Sequence, residues 1–544
     1  MKRDLSRFGA VWGLCLLIVG VLASQASTAV ASQASFGRSA TVAAGVLSPL
    51  TAGQGSTSRT ERSSRQALVA RFTSLHPSLS SSASTAVQVS TATPHHSDLI
   101  TSFDGVGSLD SAITNFGAEF EPPDQGLCAG NGYVVEMVNS AFRVYDTQGH
   151  TLAGPTNVNA PFHDGFAQFT SDPRCYYDRS TNTWFAVVLF LNDTFTASDI
   201  QIAVNTSGDP TTAWTVFNID TTRLGGNGCP CFGDQPTLGI DASNLYTTTN
   251  EFSILGPEFN GAQIYAISKR DLIHHAANVH FVHYQDVMID GNPAASVQPA
   301  LTNGFAPAEY FLSSLDPNGT GDNRIAVWSL THVDRVSHGG TPTLSSVIIN
   351  SEAYSIPPAA LQKGSASTLD SGDDRMQQTE FISGEIWGTL DTQVTPYGDS
   401  AARAGAAWFR VRPHLNGSTL GGASLTGQGY VVSRGNYVLY PALQADSNGR
   451  AAMVFALTGA NRFASAAYAV LSDDEDGFGR PVVAAAGSGP YDPAATRWGD
   501  YSWAVLDPNS DSVWMATEYM PPLGSQTTDG LRNWGTEVLR LSLQ

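Results

Sequence analysis

Blocks of apolar residues separated by short polar turns recur along most of the chain. Residues 172–190, DPRCYYDRSTNTWFAVVLF, read as an apolar strand, a polar turn at DRSTNT and a second apolar strand. The same plan returns at residues 234–252 (DQPTLGIDASNLYTTTNEF), 440–458 (YPALQADSNGRAAMVFALT) and 499–519 (GDYSWAVLDPNSDSVWMATEY). Weaker copies begin at Pro123 (PDQGLCAGNGYVVEMVN), Gln298 (QPALTNGFAPAEYFLSSLD) and Asp374 (DRMQQTEFISGEIWGTLD). With Asp124, Asp172, Asp234, Gln298, Asp374, Tyr440 and Asp500 as marks, the seven hairpins are spaced by 48, 62, 64, 76, 66 and 60 residues. A repeat of this length points to a propeller or solenoid.

Each hairpin is followed by material for two more strands. These are IQIAVNTSG and WTVFNID after the second hairpin, AQIYAIS and VHFVHYQDV after the third, and IAVWSL and LSSVIIN after the fourth. A short helix is expected at KRDLIHHAA. Four-stranded units in radial repetition are propeller blades. The expected fold is therefore all-β: one seven-bladed β-propeller of four-stranded blades over residues 98–544. The leading strand near Ile100 to Val106 would complete the last blade, leaving only short strand edges. Two packed β-sandwiches are the competing architecture, but they give no reason for the repeated Asp- or Pro-containing entry to each unit.

The N-terminus breaks the pattern. Residues 1–31 have a basic start (Lys2, Arg3, Arg7), an apolar stretch from Ala10 to Leu22 and an A-x-A site at Ala29 to Ala31. That is the layout of a signal peptide, with an apolar core too short to span a bilayer comfortably. Residues 32–97 are rich in Ser, Thr and Ala and nearly free of aromatics. Such a segment buries too little apolar surface to offset its ordering entropy, so it is expected to be a disordered linker, stalk or propeptide. The chain is expected to be secreted, extracellular or cell-surface, without membrane insertion, and monomeric.

Composition narrows the partners. There are 28 basic and 48 acidic residues, a formal net charge of −20, and charged residues make up 14% of the chain. Lysine occurs only at Lys2, Lys269 and Lys363. An acidic, lysine-poor surface argues against nucleic acid. Beyond the leader lie four cysteines, Cys128, Cys175, Cys229 and Cys231. An even number in an exported chain predicts two disulfides, with three connectivities open. Cys128–Cys175 suits neighbouring inner strands, a Cys229–Cys231 ring would be tight, and cross-pairing between the two sets stays open.

Several runs carry a resemblance. PPDQGLCAGNGYVVEMVNSAFRVYDTQG, SDPRCYYDRSTNTWF, GDPTTAW, DQPTLGIDASNLYTTTNEF with AQIYAISKRDLI, and RWGDYS resemble a widespread group of secreted bacterial β-propeller proteins of unknown function. Its marks are PPDxG, SDPRxxYD, DxPxLGxD and RWGDYS, and the group is called sialidase-like on fold alone. The resemblance implies a propeller and export. It transfers no catalytic residues, and sialidase-type S-x-D-x-G-x-T-W repeats are missing.

Hairpin geometry gives the candidate site. The start of the first strand and the end of the second lie at the same end. Asp234 is thereby placed near Glu251, Asp374 near Asp391, and Asp500 near Glu518. Asp172, Asp234, Asp374 and Asp500 would form an acidic ring at one face, interleaved by Arg174, Arg375 and Arg497. Trp498 and Tyr501 would offer flat faces for a sugar. Catalytic candidates are Asp234, Glu251, Asp374, Asp500 and Glu518; ligand-binding candidates are Asp172, Arg174, Arg375, Arg497, Trp498 and Tyr501. The structural alternative for each Asp is a turn cap bonding nearby backbone N–H groups. Calcium is the expected ion, either at the acidic face or in two loops with alternating oxygen ligands, Ser472–Asp474–Asp476 and Asp316–Asn318–Thr320. The clustered His274, His275, His280 and His283 read as surface histidines rather than a metal site.

The functional expectation is recognition of a polysaccharide or cell-surface glycan on the acidic face. A glycoside hydrolase or polysaccharide lyase using the same carboxylates is the first alternative, and a scaffold that binds protein is the second. No G-x-S-x-G elbow, H-E-x-x-H or phosphate-binding glycine loop is present.

Overall fold

The computed structural model describes residues 41–47, 87–89 and 99–543, apart from 118, 166–167, 225–227, 257, 316–319, 473–475, 492–496 and 523–533. The fold is all-β, as expected. Its described residues form antiparallel units over 126–157, 169–220, 231–285, 298–354, 376–431, 437–485, and 503–542 with Leu99–Gly107; the first two and the last two are separate four-stranded sheets, and the middle three are joined into one 15-stranded sheet by parallel pairing of Gly239–Ile240, Gln298–Asn303 and Met376–Ile382. We number these units 1 to 7. Innermost strands touch between units 1 and 2, 3 and 4, 4 and 5, 5 and 6, and 6 and 7, and the innermost strand of unit 7, Trp503–Leu506, returns to touch Gly126–Gly130 of unit 1.

Unit 7 joins an early strand to late ones. Leu99–Gly107 runs antiparallel to Gly535–Ser542, with Phe103 opposite Val538. This is the closing strand anticipated from the sequence. It ties the first described residues of the main body to the last, and it occupies an edge that would otherwise present unpaired backbone groups. The helix at KRDLI also forms, over Lys269–Ile273, with the Ser268 side chain accepting from the Asp271 N–H.

The N-terminal stretch needs a correction. Thr41–Leu47 is a strand, antiparallel to Val279–Gln285 at the outer edge of unit 3. Val87–Val89 pairs in parallel with Val394–Pro396 of unit 5. An open edge offers a ladder of N–H and C=O groups, and a short apolar segment such as TVAAGVL can satisfy it despite a weakly folding neighbourhood. The rest of residues 1–98, including the leader, lies outside the described residues.

The core lies between units rather than within each sheet. Ile200, Ile202, Phe217 and Ile219 of unit 2 pack on Leu245, Tyr265 and Ile267 of unit 3. The opposite face of unit 2, carrying Ala186, Val188 and Ala203, packs on Val135 and Val144 of unit 1. Strands buried on both faces explain the apolar runs of the sequence, such as WFAVVLF.

Candidate functional site

The unit entries share a backbone device. Asp124 (φ 53°), Asp172 (φ 56°), Gln235 (φ 49°), Tyr440 (φ 53°) and Asp500 (φ 116°) all have positive φ. In three of them a proline follows, at Pro173, Pro236 and Pro441. The strand pairing slips at these places, between Ser171 and Arg174 and between Leu439 and Ala442. Such bulges bend the strand and re-aim side chains. Aspartate tolerates the left-handed region better than most residues, so the repeated Asp is partly a backbone requirement.

The bulges bring charges together. Asp124, Asp172, Asp234 and Asp500 interact with one another and with Arg174, Arg375 and Arg497. These groups come from the entries of units 1, 2, 3, 5 and 7; Asp124 joins the set, and Asp374, expected in the ring, is not among these interactions. Two ion pairs are partly exposed: Arg375 with Asp373 at 2.6 Å, and Arg497 with Asp500. Asp124, Asp172, Asp234 and Arg174 are buried, none more than 7% exposed.

Burial sets the protonation of the floor. It raises Asp124 well above the usual carboxyl range, and the nearby Asp500 and Asp172 charges raise it further. Burial, with Asp234 and Asp500 beside it, pushes Asp172 up to about 7. Burial lowers Arg174, while Tyr501, Asp172 and Asp124 work the other way. Burial also works against the Arg375 charge, but Asp373 outweighs it and holds the guanidinium above its ordinary value.

Arg174 is held by aromatic faces. Its guanidinium lies 3.1 Å from the Tyr501 ring centroid and 4.7 Å from that of Trp503. Tyr501 donates to the Pro173 carbonyl at 3.0 Å, so it supports the arginine rather than offering a free face. Trp498, expected at the mouth, is fully buried and packs edge-on against Tyr491 at 5.0 Å. The RWGDYS run has a packing reason as well. Gly499 (φ 81°) faces the Tyr440 ring, and a Cβ there would sit 2.0 Å from it.

Other expected site residues lie elsewhere or do other work. Glu518 accepts the Gly499 N–H at 2.8 Å, and Asp391 accepts the Tyr440 N–H at 2.9 Å. Both are buried carboxylates that hold the entry backbone in place. Glu251 is fully buried, with Thr249 as its hydroxyl partner at 3.4 Å, and burial lifts it to about 8. It lies within 4.8 Å of the Cys229 and Cys231 sulfurs, which are bonded to each other. Asp374 is buried, while its neighbour Asp373 takes the Arg375 ion pair and Asp370 joins the Arg497–Asp500 group.

Sequence reasoning passed over Asp370, Asp373 and Gln125. Gln125 is fully buried, next to the left-handed Asp124. It also passed over a second tier of carboxylates inside the strands. Glu136 accepts the Val106 N–H at 2.8 Å and Glu309 the Ala300 N–H at 2.9 Å, while Glu380 accepts the Ala445 N–H. A lone Glu in an apolar run such as YVVEM was the available signal.

The calcium loops fall largely outside the described residues. Asp316, Asn318 and Asp474 are not described; Thr320 and Asp476 are exposed and Ser472 is half-buried. His283 stacks on Tyr265 at 4.4 Å and shares a hydrogen bond with the Gln263 side chain, and burial pushes it down to about 3. It is a neutral core residue. The disulfides pair Cys128 with Cys175, joining the inner strands of units 1 and 2, and Cys229 with Cys231, flanking Pro230 before unit 3. No helix among the described residues is long and apolar enough to cross a membrane.

No protein-family model and no curated protein matches the chain. Solved structures give weak likenesses. An α-L-arabinofuranosidase from Fusarium graminearum is 10% identical, covering 68% of this chain and 92% of its own at a TM-score of 0.29. An N-acetylgalactosamine deacetylase from F. plautii is 8% identical, covering 80% and 94% at a TM-score of 0.29. An exo-1,5-α-L-arabinanase from a bovine ruminal metagenomic library is 12% identical, covering 66% and 95% at a TM-score of 0.29. Likeness at this level carries no argument about what the chain does.

Proposed function

We propose that the chain is an exported seven-bladed β-propeller that recognises a carbohydrate or cell-envelope polymer at its acidic, arginine-laced mouth. In this reading the seven antiparallel units are the blades, and Leu99–Gly107 in the last unit is the closing strand. One observation carries the reading: entries from five units deliver carboxyl and guanidinium groups to one place. Carboxylates accept from sugar hydroxyls and guanidiniums donate to them. The half-exposed pairs Arg375–Asp373 and Arg497–Asp500 form the rim that a ligand meets, and buried Asp124, Asp172 and Arg174 fix the rim from below. A net charge of −20 disfavours polyanions in general and nucleic acid in particular.

Hydrolysis is the second reading, and the Asp172 carboxyl favours it. A carboxyl pushed up to about 7 beside other carboxyls gives the unlike pair that acid–base glycosidases use. A panel of glycans and polysaccharides, read for both binding and released product, separates the two. Recognition predicts binding to one class without product, weakened about tenfold or more by Asp500→Asn, since a lost charged hydrogen bond is worth about 1.5–3 kcal/mol. Product release that disappears in Asp500→Asn would replace it with hydrolysis. Binding to nothing on the panel would leave a protein-binding scaffold.

A further inference from the structure

The two disulfides differ in what they can do. Cys128 and Cys175 are 47 residues apart and fully buried, whereas only Pro230 separates Cys229 from Cys231. In the chain-entropy account a disulfide stabilises more the longer the loop it closes, so the short one contributes least to folding. Its two cysteines are also unequal. Cys229 is half-buried and follows the exposed Gly228, while Cys231 is fully buried at the start of the strand Cys231–Asp234. A thiol arriving from solvent therefore meets Cys229 first.

Two polar groups converge on these sulfurs. Cys231–Asp234 runs antiparallel to residues 250–253, with Cys231 opposite Ser253 and Gly233 opposite Glu251. Directly paired residues share a face, and so do residues two apart on one strand. Cys231 and Glu251 are therefore on one face, where Gly233 presents no side chain. A Glu251 carboxyl oxygen lies within 4.8 Å of both sulfurs. Glu251 is fully buried, and its Oε1 has no hydrogen-bond partner. Buried carboxyl oxygens are normally paired, so this one needs a role. From the strand Phe259–Ser268, Asn260 donates its Nδ2 to Cys231 Sγ at 3.2 Å.

We propose that Cys229–Cys231 is a thiol–disulfide exchange site for an external dithiol, with Cys229 as the sulfur attacked, Cys231 as the leaving sulfur and Glu251 as the acid that protonates it. One thiolate of the dithiol attacks Cys229 Sγ. The Cys229–Cys231 bond breaks, a mixed disulfide forms at Cys229, and the electron pair leaves on Cys231 Sγ. Cys231 takes the Glu251 proton, and the Asn260 N–H steadies the charge as it develops. The second thiolate then attacks the dithiol's own sulfur in the mixed disulfide, and Cys229 leaves and takes a proton from water. The dithiol is oxidised to a disulfide by two electrons, and the protein disulfide is reduced to two thiols. The two protons that the dithiol releases to water balance the two taken up, once Glu251 is reprotonated. The charge state fits this role. Burial, with the Asp234 charge adding to it and the Thr249 hydroxyl opposing, lifts Glu251 to about 8, so its proton is present at neutral pH. Asp234 and the Tyr265 phenol are the titratable groups that interact with Glu251. Neither offers a positive charge, so a buried Cys231 thiolate is costly unless it is protonated.

Treating the folded full chain with dithiothreitol and locating the alkylated thiols tests the assignment. The expected result is reduction of Cys229–Cys231 with Cys128–Cys175 intact. Glu251→Gln, which cannot give up a proton, should slow this reduction at least about tenfold at about pH 7. The gap should close above about pH 8, where the wild-type carboxyl has lost its proton; a purely structural carboxyl would give a ratio that does not change with pH. Glutathione disulfide provides a second measurement if Glu251→Gln does not fold. Cys231→Ser should form a mixed disulfide at Cys229, and Cys229→Ser should form none at Cys231. Reduction of Cys229–Cys231 only on unfolding, a pH-independent ratio, or a mixed disulfide at Cys231 and not at Cys229 would each overturn the proposal.

Discussion

The two ends of the inner hairpins use the same residue in opposite ways. At the turn end, Asp178 accepts the Ser180 N–H at 2.9 Å, Asp241 accepts the Ser243 and Asn244 N–H groups at 2.7 Å, and Asp446 accepts the Asn448 and Arg450 N–H groups at 2.9 and 3.0 Å. Asp507 does the same for Asn509 at 2.8 Å. Each of these carboxylates caps its own turn, and Asp178 and Asp507 also pair with Lys269 and Arg540. At the entry end, Asp124, Asp172 and Asp500 sit in the left-handed region and face one another and the arginines of other units. A local cap costs little and marks a fold. Like charges drawn together from distant parts of the chain are costly, and that cost marks a site. Unit 5 stands between the two cases, since Asp373 accepts the Arg375 N–H at 3.0 Å and also pairs with its side chain.

The largest effect should come from a turn. Asp178 meets the Lys269 ammonium at 2.9 Å, with the two side chains 11% and 5% exposed. Asp178→Ala would leave a buried charge without this partner, at a cost of about 3–5 kcal/mol. Denaturant unfolding should show that loss, while the folded fraction keeps its ligand. A smaller loss is expected at the entry backbone. Gly499→Ala places a Cβ against the Tyr440 ring in a conformation unfavourable for alanine, costing about 1–3 kcal/mol. Equal stability of this variant and the wild type, in the same unfolding assay, would show that the RWGDYS glycine has no packing role.

A further effect is a difference in pH response, with a slope of at most about 1.4 kcal/mol per pH unit for each carboxyl. Burial raises Asp172 from 3.8 to about 7. Its unfolded form loses the proton near 3.8 while the folded form keeps it, so its contribution is full below about pH 4 and is lost as pH rises toward 7. Asp178 runs the other way. Burial would raise it, but the Lys269 charge and local hydrogen bonds outweigh burial and lower it, so its contribution is present above 3.8 and fades as pH falls below that. Urea unfolding at pH 4, 5.5 and 7 should show Asp172→Asn gaining on the wild type as pH rises. A gap that stays constant with pH would mean that Asp172 is not held protonated.

Much of the architecture was legible because strands buried on both faces leave unmistakable apolar runs, and because Asp and Asn turns punctuate them. The closing strand before Gly107 and the KRDLI helix were legible for the same reason. That Asp172, Asp234 and Asp500 stand at unit entries near Arg174, Arg375 and Arg497 was legible from the hairpin ends. The details of the mouth were not. Asp373 rather than Asp374 takes the arginine, and in a structure of period two a shift of one residue exchanges the two faces. Glu251 and Glu518 fit the hairpin rule yet lie buried, with Glu518 spent on a backbone N–H, a demand that only the packed neighbour creates. The Thr41–Leu47 strand was hidden because its partner edge exists only once unit 3 has folded.

The central claim is that entry aspartates recognise ligand and turn aspartates do not. Titrating the tightest-binding glycan of the panel into wild type, Asp500→Asn and Asp446→Asn tests it most directly. Asp446 is 2% exposed in its side chain and belongs to a turn; Asp500 is 31% exposed and belongs to the rim. The account predicts affinity reduced about tenfold or more in Asp500→Asn and unchanged in Asp446→Asn. Wild-type affinity in Asp500→Asn, or equal losses in the two variants, would contradict it.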